Sequence, residues 1–110
     1  MSEFAEYLPE LFESMGQVRL RRMFGGHGVF LDGLMFGLVA DDVLYLKTDD
    51  VNRPDYEQLD LAPFSYVKAG RAIKMSYYEA PALIYDDAEE AAIWAARAFE
   101  AARRGENRKC

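Results

Sequence analysis

Arg21-Arg22-Met23-Phe24-Gly25-Gly26-His27-Gly28-Val29-Phe30-Leu31-Asp32-Gly33 decides the fold, because it packs two chain reversals and two strand patterns into one short stretch. Asp32-Gly33 lies between the apolar runs 29–31 and 34–39. That is the signal of a two-residue hairpin, whose central residues both take positive φ and where glycine does so without steric cost. Gly25-Gly26 marks a second turn or bend. Outward on the N-terminal side, Val18 and Leu20 alternate with Arg19 and Arg21 until Arg22 breaks the pattern, so a β-bulge near Arg21-Arg22 is expected to return Met23 and Phe24 to usable faces. On the C-terminal side, residues 34–40 have no polar side, the pattern of a central strand covered on both faces. After Asp41-Asp42, Leu44 and Leu46 alternate with Tyr45 and Lys47. Strands are therefore expected at 18–24, 27–32, 34–40 and 43–48, the first two forming either one bent strand or two.

Ahead of this block the period is helical. Phe4, Tyr7, Leu8, Leu11, Phe12 and Met15 share one stripe, so a helix is expected over residues 3–15, with Ser2 as N-cap and a stop at Gly16. Pro9 lies inside it and has no N–H to give residue 5, so a kink or late start is expected there. Asn52-Arg53-Pro54-Asp55 combines a capping residue, a first-turn proline and an acid at the positive end of a helix dipole, which predicts a short helix over 52–59. Phe64-Ser65-Tyr66-Val67-Lys68 and Ile73-Lys74-Met75-Ser76-Tyr77 flank Ala69-Gly70 as a second hairpin, ended by Pro81. Asp86-Asp87-Ala88-Glu89-Glu90 opens a final helix over 87–104, which Gly105 is expected to close. Its apolar side is Ala88, Ala91, Trp94, Ala95, Ala98, Phe99 and Ala102, small enough to lie close on a sheet, and residues 106–110 are expected to fray. The whole reads as a single α+β domain over residues 1–110, an antiparallel sheet of about five strands with flanking helices in the order α-βββ-α-ββ-α.

The chain has 110 residues, 51% of them hydrophobic and 14% aromatic, enough to build one core without covalent staples. Cys110 is the only cysteine, so neither an intramolecular disulfide nor a cysteine metal cluster can form. No apolar run approaches the roughly 20 residues of a membrane span, and Glu3 and Glu6 stand where a leader would be basic. A cytoplasmic protein without membrane attachment is expected. Net charge is −6, which opposes the phosphate field of nucleic acid. Direct DNA binding is not expected, although Arg19, Arg21 and Arg22 leave one small basic cluster.

Gly25-Gly26-His27-Gly28 has strand patterns on both sides and no following Lys-Ser/Thr, which is turn geometry rather than a phosphate cradle. His27, the only histidine, has no carboxylates at converging spacing, so no metal site is read, and no cofactor is expected. Ser76 has no neighbouring base in sequence and Cys110 stands at the chain end, so no nucleophile is identified. Glu79 beside Tyr77 is an acid and phenol pair; with Arg22 it would form the pocket of a small-molecule-binding domain or small enzyme. Phe30, Phe36, Tyr45, Tyr66, Tyr77 and Tyr78 lack the Arg/Lys-Gly-Phe/Tyr signature of base-stacking modules and point to packing and protein contact. The outward set of residues 34–40 is either Leu34, Phe36 and Leu38 or Met35 and Val39, apolar in both registers. A two-fold homodimer is therefore expected through the sheet face that the first and last helices leave open, with the helix at 52–59 as the competing cover. Arg21, Arg22, Phe36, Tyr45, Tyr77 and Glu79 are the candidate interaction surface.

Residues 21–28, Asp41-Asp42-Val43-Leu44-Tyr45-Leu46-Lys47, Pro63-Phe64-Ser65-Tyr66, residues 75–81 and Trp94 together resemble the N-terminal domain of the TfoX/Sxy family of competence regulators, over about residues 4–104. The resemblance implies an antiparallel α+β sheet similar to secretion-chaperone-like folds. It also implies a bacterial role in competence and transcription regulation alongside a cyclic-AMP receptor protein, and it implies no catalytic residues. The longer members carry a second, helical domain, whereas this sequence ends at Cys110. Two readings follow: a non-catalytic regulatory module whose partner is a protein, such as transcription machinery or a cyclic-AMP receptor protein, or a ligand-binding domain or enzyme built on Glu79, Tyr77 and Arg22.

Overall fold

Asp32 and Gly33 turn the chain with φ of 52° and 78°, both in the left-handed region that the hairpin reading requires. They join β2 (Gly26–Leu31) to β3 (Leu34–Ala40). The same geometry recurs at Asp41 and Asp42 (φ 51° and 60°), which lead into β4 (Val43–Lys47). It recurs again at Ala69 and Gly70 (φ 53° and 78°), between β5 (Pro63–Lys68) and β6 (Arg71–Glu79). With β1 (Arg19–Met23) these strands form one antiparallel sheet in the order β1-β2-β3-β4-β6-β5. The computed structural model describes residues 3–23 and 25–108, with side chains as far as residue 106. The expected Ser2 cap, Phe24 and Cys110 lie outside the described residues.

The sheet has six strands where about five were expected, because β1 and β2 are separate and Gly25 (φ 76°) reverses the chain before β2. The bulge expected near Arg21-Arg22 does not form. Pairing runs unbroken from Arg19↔Phe30 to Met23↔Gly26. Arg22 needs no correction because β1 is an edge strand, where a long cation opposite His27 still reaches solvent. The irregularity sits one strand further in: Val29 pairs with Gly37 but Phe30 pairs with Met35, so Phe36 is the extra residue on β3. Strict alternation would have offered Leu34, Phe36 and Leu38, or Met35 and Val39. The slip instead turns Leu34, Phe36 and Val39 to one face and Met35 and Leu38 to the other.

The first face carries every helix. Core residues Val29, Leu31, Phe36, Val39, Leu44 and Leu46 pack with Leu8, Leu11 and Phe12 of the N-terminal segment, Tyr56, and Ala91, Trp94, Ala95, Ala98 and Ala102 in one cluster. Phe36 is 0% exposed and meets Phe12 and Phe99 edge-on, with ring centroids 5.9 and 6.3 Å apart. The helices are α1 (Glu3–Leu11), α2 (Arg53–Gln58) and α3 (Ala88–Arg108). Pro9 is accommodated within α1, and a 3₁₀ turn at Glu13–Met15 completes the segment before Gly16. Tyr56 of α2 packs on Trp94 and Tyr78, at 4.9 and 5.9 Å, so α2 joins the helical layer and does not cover the opposite face.

Local chemistry fixes the helix ends. Asp87, of the two candidate caps, accepts from the N–H groups of Glu89 (3.0 Å) and Glu90 (3.2 Å). Gly105 does not close α3, which runs on to Arg108, and Gly105 is not among the described residues with positive φ. Asn52 stands at the start of α2 without capping it. Its Oδ1 accepts from the N–H of Asp49 (2.8 Å) and its Nδ2 donates to the Lys47 carbonyl (3.0 Å), which ties the loop to the end of β4.

Candidate functional site

Residues that pair directly across antiparallel strands share a face, so the register maps the side opposite the helices. β1 contributes Arg19, Arg21 and Met23, β2 contributes Phe30, and β3 contributes Met35 and Leu38. β4 contributes Tyr45 and Lys47, opposite Glu79 and Tyr77 of β6. Phe64 of β5 stacks edge-on against Tyr45 at 5.1 Å and leads to Tyr66 at 6.5 Å, extending an aromatic row toward the free end of the last hairpin. Gly28 lies beneath this layer. A Cβ there would stand 2.7 Å from Met23 Sδ and from Phe30 Cε1, and 3.2 Å from Met35 Sδ, so the missing side chain lets two methionines and a phenylalanine close over the strand.

The polar groups on this face are placed at its edges. Lys47 Nζ lies 5.0 Å from the centre of the Tyr77 ring and donates to Ser76 Oγ at 2.6 Å. An ammonium donates a proton rather than removing one, so this contact is a hydrogen bond and a cation–π pair and gives Ser76 no base. Burial, with Glu79 and Asp41 adding negative charge, raises the Tyr45 phenol above its ordinary pKa, and burial raises Tyr77 in the same direction. Both stay neutral hydroxyls across the physiological range. At the β1 end, Arg19, Arg21, Phe30, Gln17 and Asp32 line an open groove of about 500 Å³.

The structure brings Tyr45, Tyr77 and Glu79 together and places Arg21 on the same face, at the far edge. Two of the other sequence candidates fall elsewhere. Phe36 lies in the core, because the bulge on β3 turns it toward the helices. Arg22 pairs with His27 on the helix side of β1, four strand spacings or roughly 19 Å from β6, so Glu79, Tyr77 and Arg22 do not form a pocket. Met23 and Phe64 were not read as residues of this face, Met35 and Leu38 were divided between the two alternative outward sets, and Phe30 was read only as one of the sheet's aromatics. The residue that gathers Met23, Phe30 and Met35 is Gly28, whose missing side chain leaves the space they close over.

On the helix side, Arg104 grips Asp49 with two hydrogen bonds, Nε to Oδ2 at 2.5 Å and Nη2 to Oδ1 at 2.9 Å. Those bonds, against the opposing effect of burial and with help from the backbone N–H groups of Val51 and Asn52, hold the Asp49 carboxyl down at about 2. The pair joins α3 to the β4–α2 loop. The Tyr56 hydroxyl and His27 Nε2 are buried without a hydrogen-bond partner among the described residues. Burial drives the Tyr56 phenol far above its usual range. Among the described residues, no three His, Cys, Asp or Glu side chains are grouped to hold a metal ion, and no helix is long and apolar enough to cross a membrane.

Fold and face together define a two-layer α+β domain: an antiparallel sheet with all its helices on one side and aromatic and methionine side chains on the other. The chain belongs to the TfoX N-terminal domain family, which it matches over residues 10–102. It is similar to DNA transformation protein TfoX1 of Aliivibrio fischeri (strain ATCC 700601 / ES114), with 30% identity over 79 residues that cover 72% of this chain and 38% of the relative. It is also similar to Protein Sxy of Escherichia coli (strain K12), with 26% identity over 69 residues, 63% of this chain and 33% of the relative. The matched region thus spans about a third of the length of either relative.

Proposed function

We propose that this chain is a non-catalytic regulatory domain that binds a protein partner through its open sheet face, in the regulation of competence or transcription. The observation that supports the reading most is the face itself: Met23, Phe30, Met35, Tyr45 and Phe64 laid across five strands of the sheet with no helix over them. Aromatic and methionine side chains are enriched at protein interfaces, where their area is large and their shape adapts. Arg19, Arg21 and Lys47 at the borders fit an acidic rim on the partner and add orientation. Family membership supports a partner in the transcription machinery, with a cyclic-AMP receptor protein and RNA polymerase the first to test. The work would be done in the cytoplasm, by contact with protein rather than with DNA.

The test is a binding titration of purified chain against each of these two proteins, with Met35→Glu placed in the middle of the face. Binding by the native chain and a loss of about tenfold or more in Met35→Glu, with the fold intact by circular dichroism, is the expected outcome. Equal binding by both would refute the face as the contact. Promoter DNA run in parallel is expected to show no sequence-specific shift.

A further inference from the structure

The two edges of the sheet are built differently. β1 places Arg19, Arg21 and Arg22 among five residues, and a row of cations keeps an edge from pairing with another strand. β5 has no charge from Phe64 to Val67, four consecutive residues that all favour or tolerate strand geometry, and its Tyr66 and Val67 are 42% and 75% exposed. None of the described helices packs over it as a main contact. β4 pairs with β6 only at Tyr77, Tyr78 and Glu79, so the stretch of β6 before Tyr77 has β5 as its sole strand neighbour. The end of the sheet is therefore a two-stranded ribbon, an arrangement that is marginal in water without a third strand.

We propose that the outer edge of β5 pairs with β5 of a second copy of this chain, antiparallel about a two-fold axis at Tyr66, to make one sheet of twelve strands. The sequence is self-complementary in that register. A two-fold antiparallel pair keeps each copy's faces aligned, so residues that meet have the same parity. Centring on Tyr66 sets Tyr66 on Tyr66 of the partner, Ser65 on the partner's Val67 and Phe64 on the partner's Lys68. Each lysine thus meets an aromatic ring on the open face, and the two lysines stand about 14 Å apart, beyond the screening length at physiological salt. Pro63, which has no N–H to offer, falls just outside the paired residues. The same pairing about the centre of β1 would set Arg21 on Arg21. The second copy extends the aromatic face without covering its middle at Met35, so self-association and partner binding share only Phe64 at the border of the face.

Sedimentation velocity on the full chain at micromolar concentration tests this with three variants, each checked for native circular dichroism. The native chain is expected to be a dimer. Tyr66→Lys sets two ammonium groups opposite each other at the axis and is expected to weaken association about tenfold or more, and Tyr66→Glu does the same with two carboxylates. Mixing the two restores the dimer, because opposite charges then face each other, an outcome that a merely damaged hairpin would not give. Met35→Glu leaves the dimer intact. A monomeric native chain, a dimer indifferent to Tyr66→Lys, no rescue on mixing, or a dimer lost in Met35→Glu would each overturn the proposal. Loss of partner binding in Met35→Glu with the dimer retained bears only on the proposed function.

Discussion

Truncating Phe36 and Met35, neighbours on β3, should have very different costs, and the difference measures the register slip directly. Phe36 is 0% exposed and touches Phe12 and Phe99, whereas Met35 is half-buried on the open face. Phe36→Ala removes a whole ring from the core and leaves a cavity beneath α3, a change that costs about 3–5 kcal/mol. That is a large share of the roughly 5–15 kcal/mol that holds a domain of this size together, and corresponds to a fall in melting temperature of roughly 12–20 °C. Met35→Ala gives up only part of a side chain already in contact with water, about 1 kcal/mol or less. Urea unfolding followed by tryptophan fluorescence reads both, since Trp94 lies in the same core. Equal costs, or a greater cost at Met35, would mean that β3 presents the opposite face to the helices, and the assignment of the open face would fail with it.

Gly25 and Gly26, adjacent in sequence, serve different ends. Gly25 has φ of 76° but open space around it, with nothing within 4 Å of where a Cβ would stand, so Gly25→Ala is expected to cost about 1 kcal/mol of backbone strain. A Cβ on Gly26 would lie on the carbonyl oxygen of Val39, so Gly26→Ala must push β2 off β3 and is expected to cost about 3 kcal/mol or more; thermal unfolding of the two variants side by side decides. The Asp49–Arg104 pair makes stability depend on acid. A carboxyl lowered from 3.8 to about 2 stabilises the fold fully above the unfolded value and loses that contribution as pH falls from about 5 toward 2. The shift sets an upper limit of about 2.4 kcal/mol, and because Arg104 is a third exposed, screening reduces it to about 1–2 kcal/mol. Arg104→Ala should therefore be less stable than the native chain by up to that amount at pH 6, since the Val51 and Asn52 N–H groups keep part of the shift, with the gap narrowing toward pH 2.5; a gap independent of pH would show that the arginine acts by packing alone.

Elements whose cause is local were legible in the sequence. Asp32-Gly33 and Asp41-Asp42 turn where their residue types allow positive φ, and the stripes of α1 and α3 put Leu8, Trp94 and Ala95 into the core as their spacing requires. What was not legible has a non-local cause. The bulge belongs to the pairing of β2 with β3 and leaves no mark in β3 alone, so Phe36 was placed on the surface and Met35 was one of two equal choices. Arg22 looked like a break in alternation because its position at an edge, where either face is wet, is a property of the sheet order. The partnership of Lys47 with Ser76 spans 29 residues and appears only once β4 lies beside β6.

The slip at Phe36 also decides which members of a run with no polar residue face the helices. Under strict alternation Leu34, Phe36 and Leu38 would share one face and Met35 and Val39 the other; with the slip the split is still three to two, but its members change. With the extra residue, the helix side receives Leu34, Phe36 and Val39, together with Gly37, where α3 lies across β3. Gly37 has the Tyr45 carbonyl 3.2 Å and Val29 Cβ 3.5 Å from the position a Cβ would take, so any side chain there would crowd the neighbouring strands. The open side is left with Met35 and Leu38, and Leu38 is 8% exposed between Gly28 and Tyr45. The face that remains in water is therefore thin in aliphatic bulk and rich in rings and thioethers, which tolerate exposure in the free chain and still bury area on contact. A single inserted residue thus decides which side chains of the run lie on the open face, Met35 and Leu38, rather than how many.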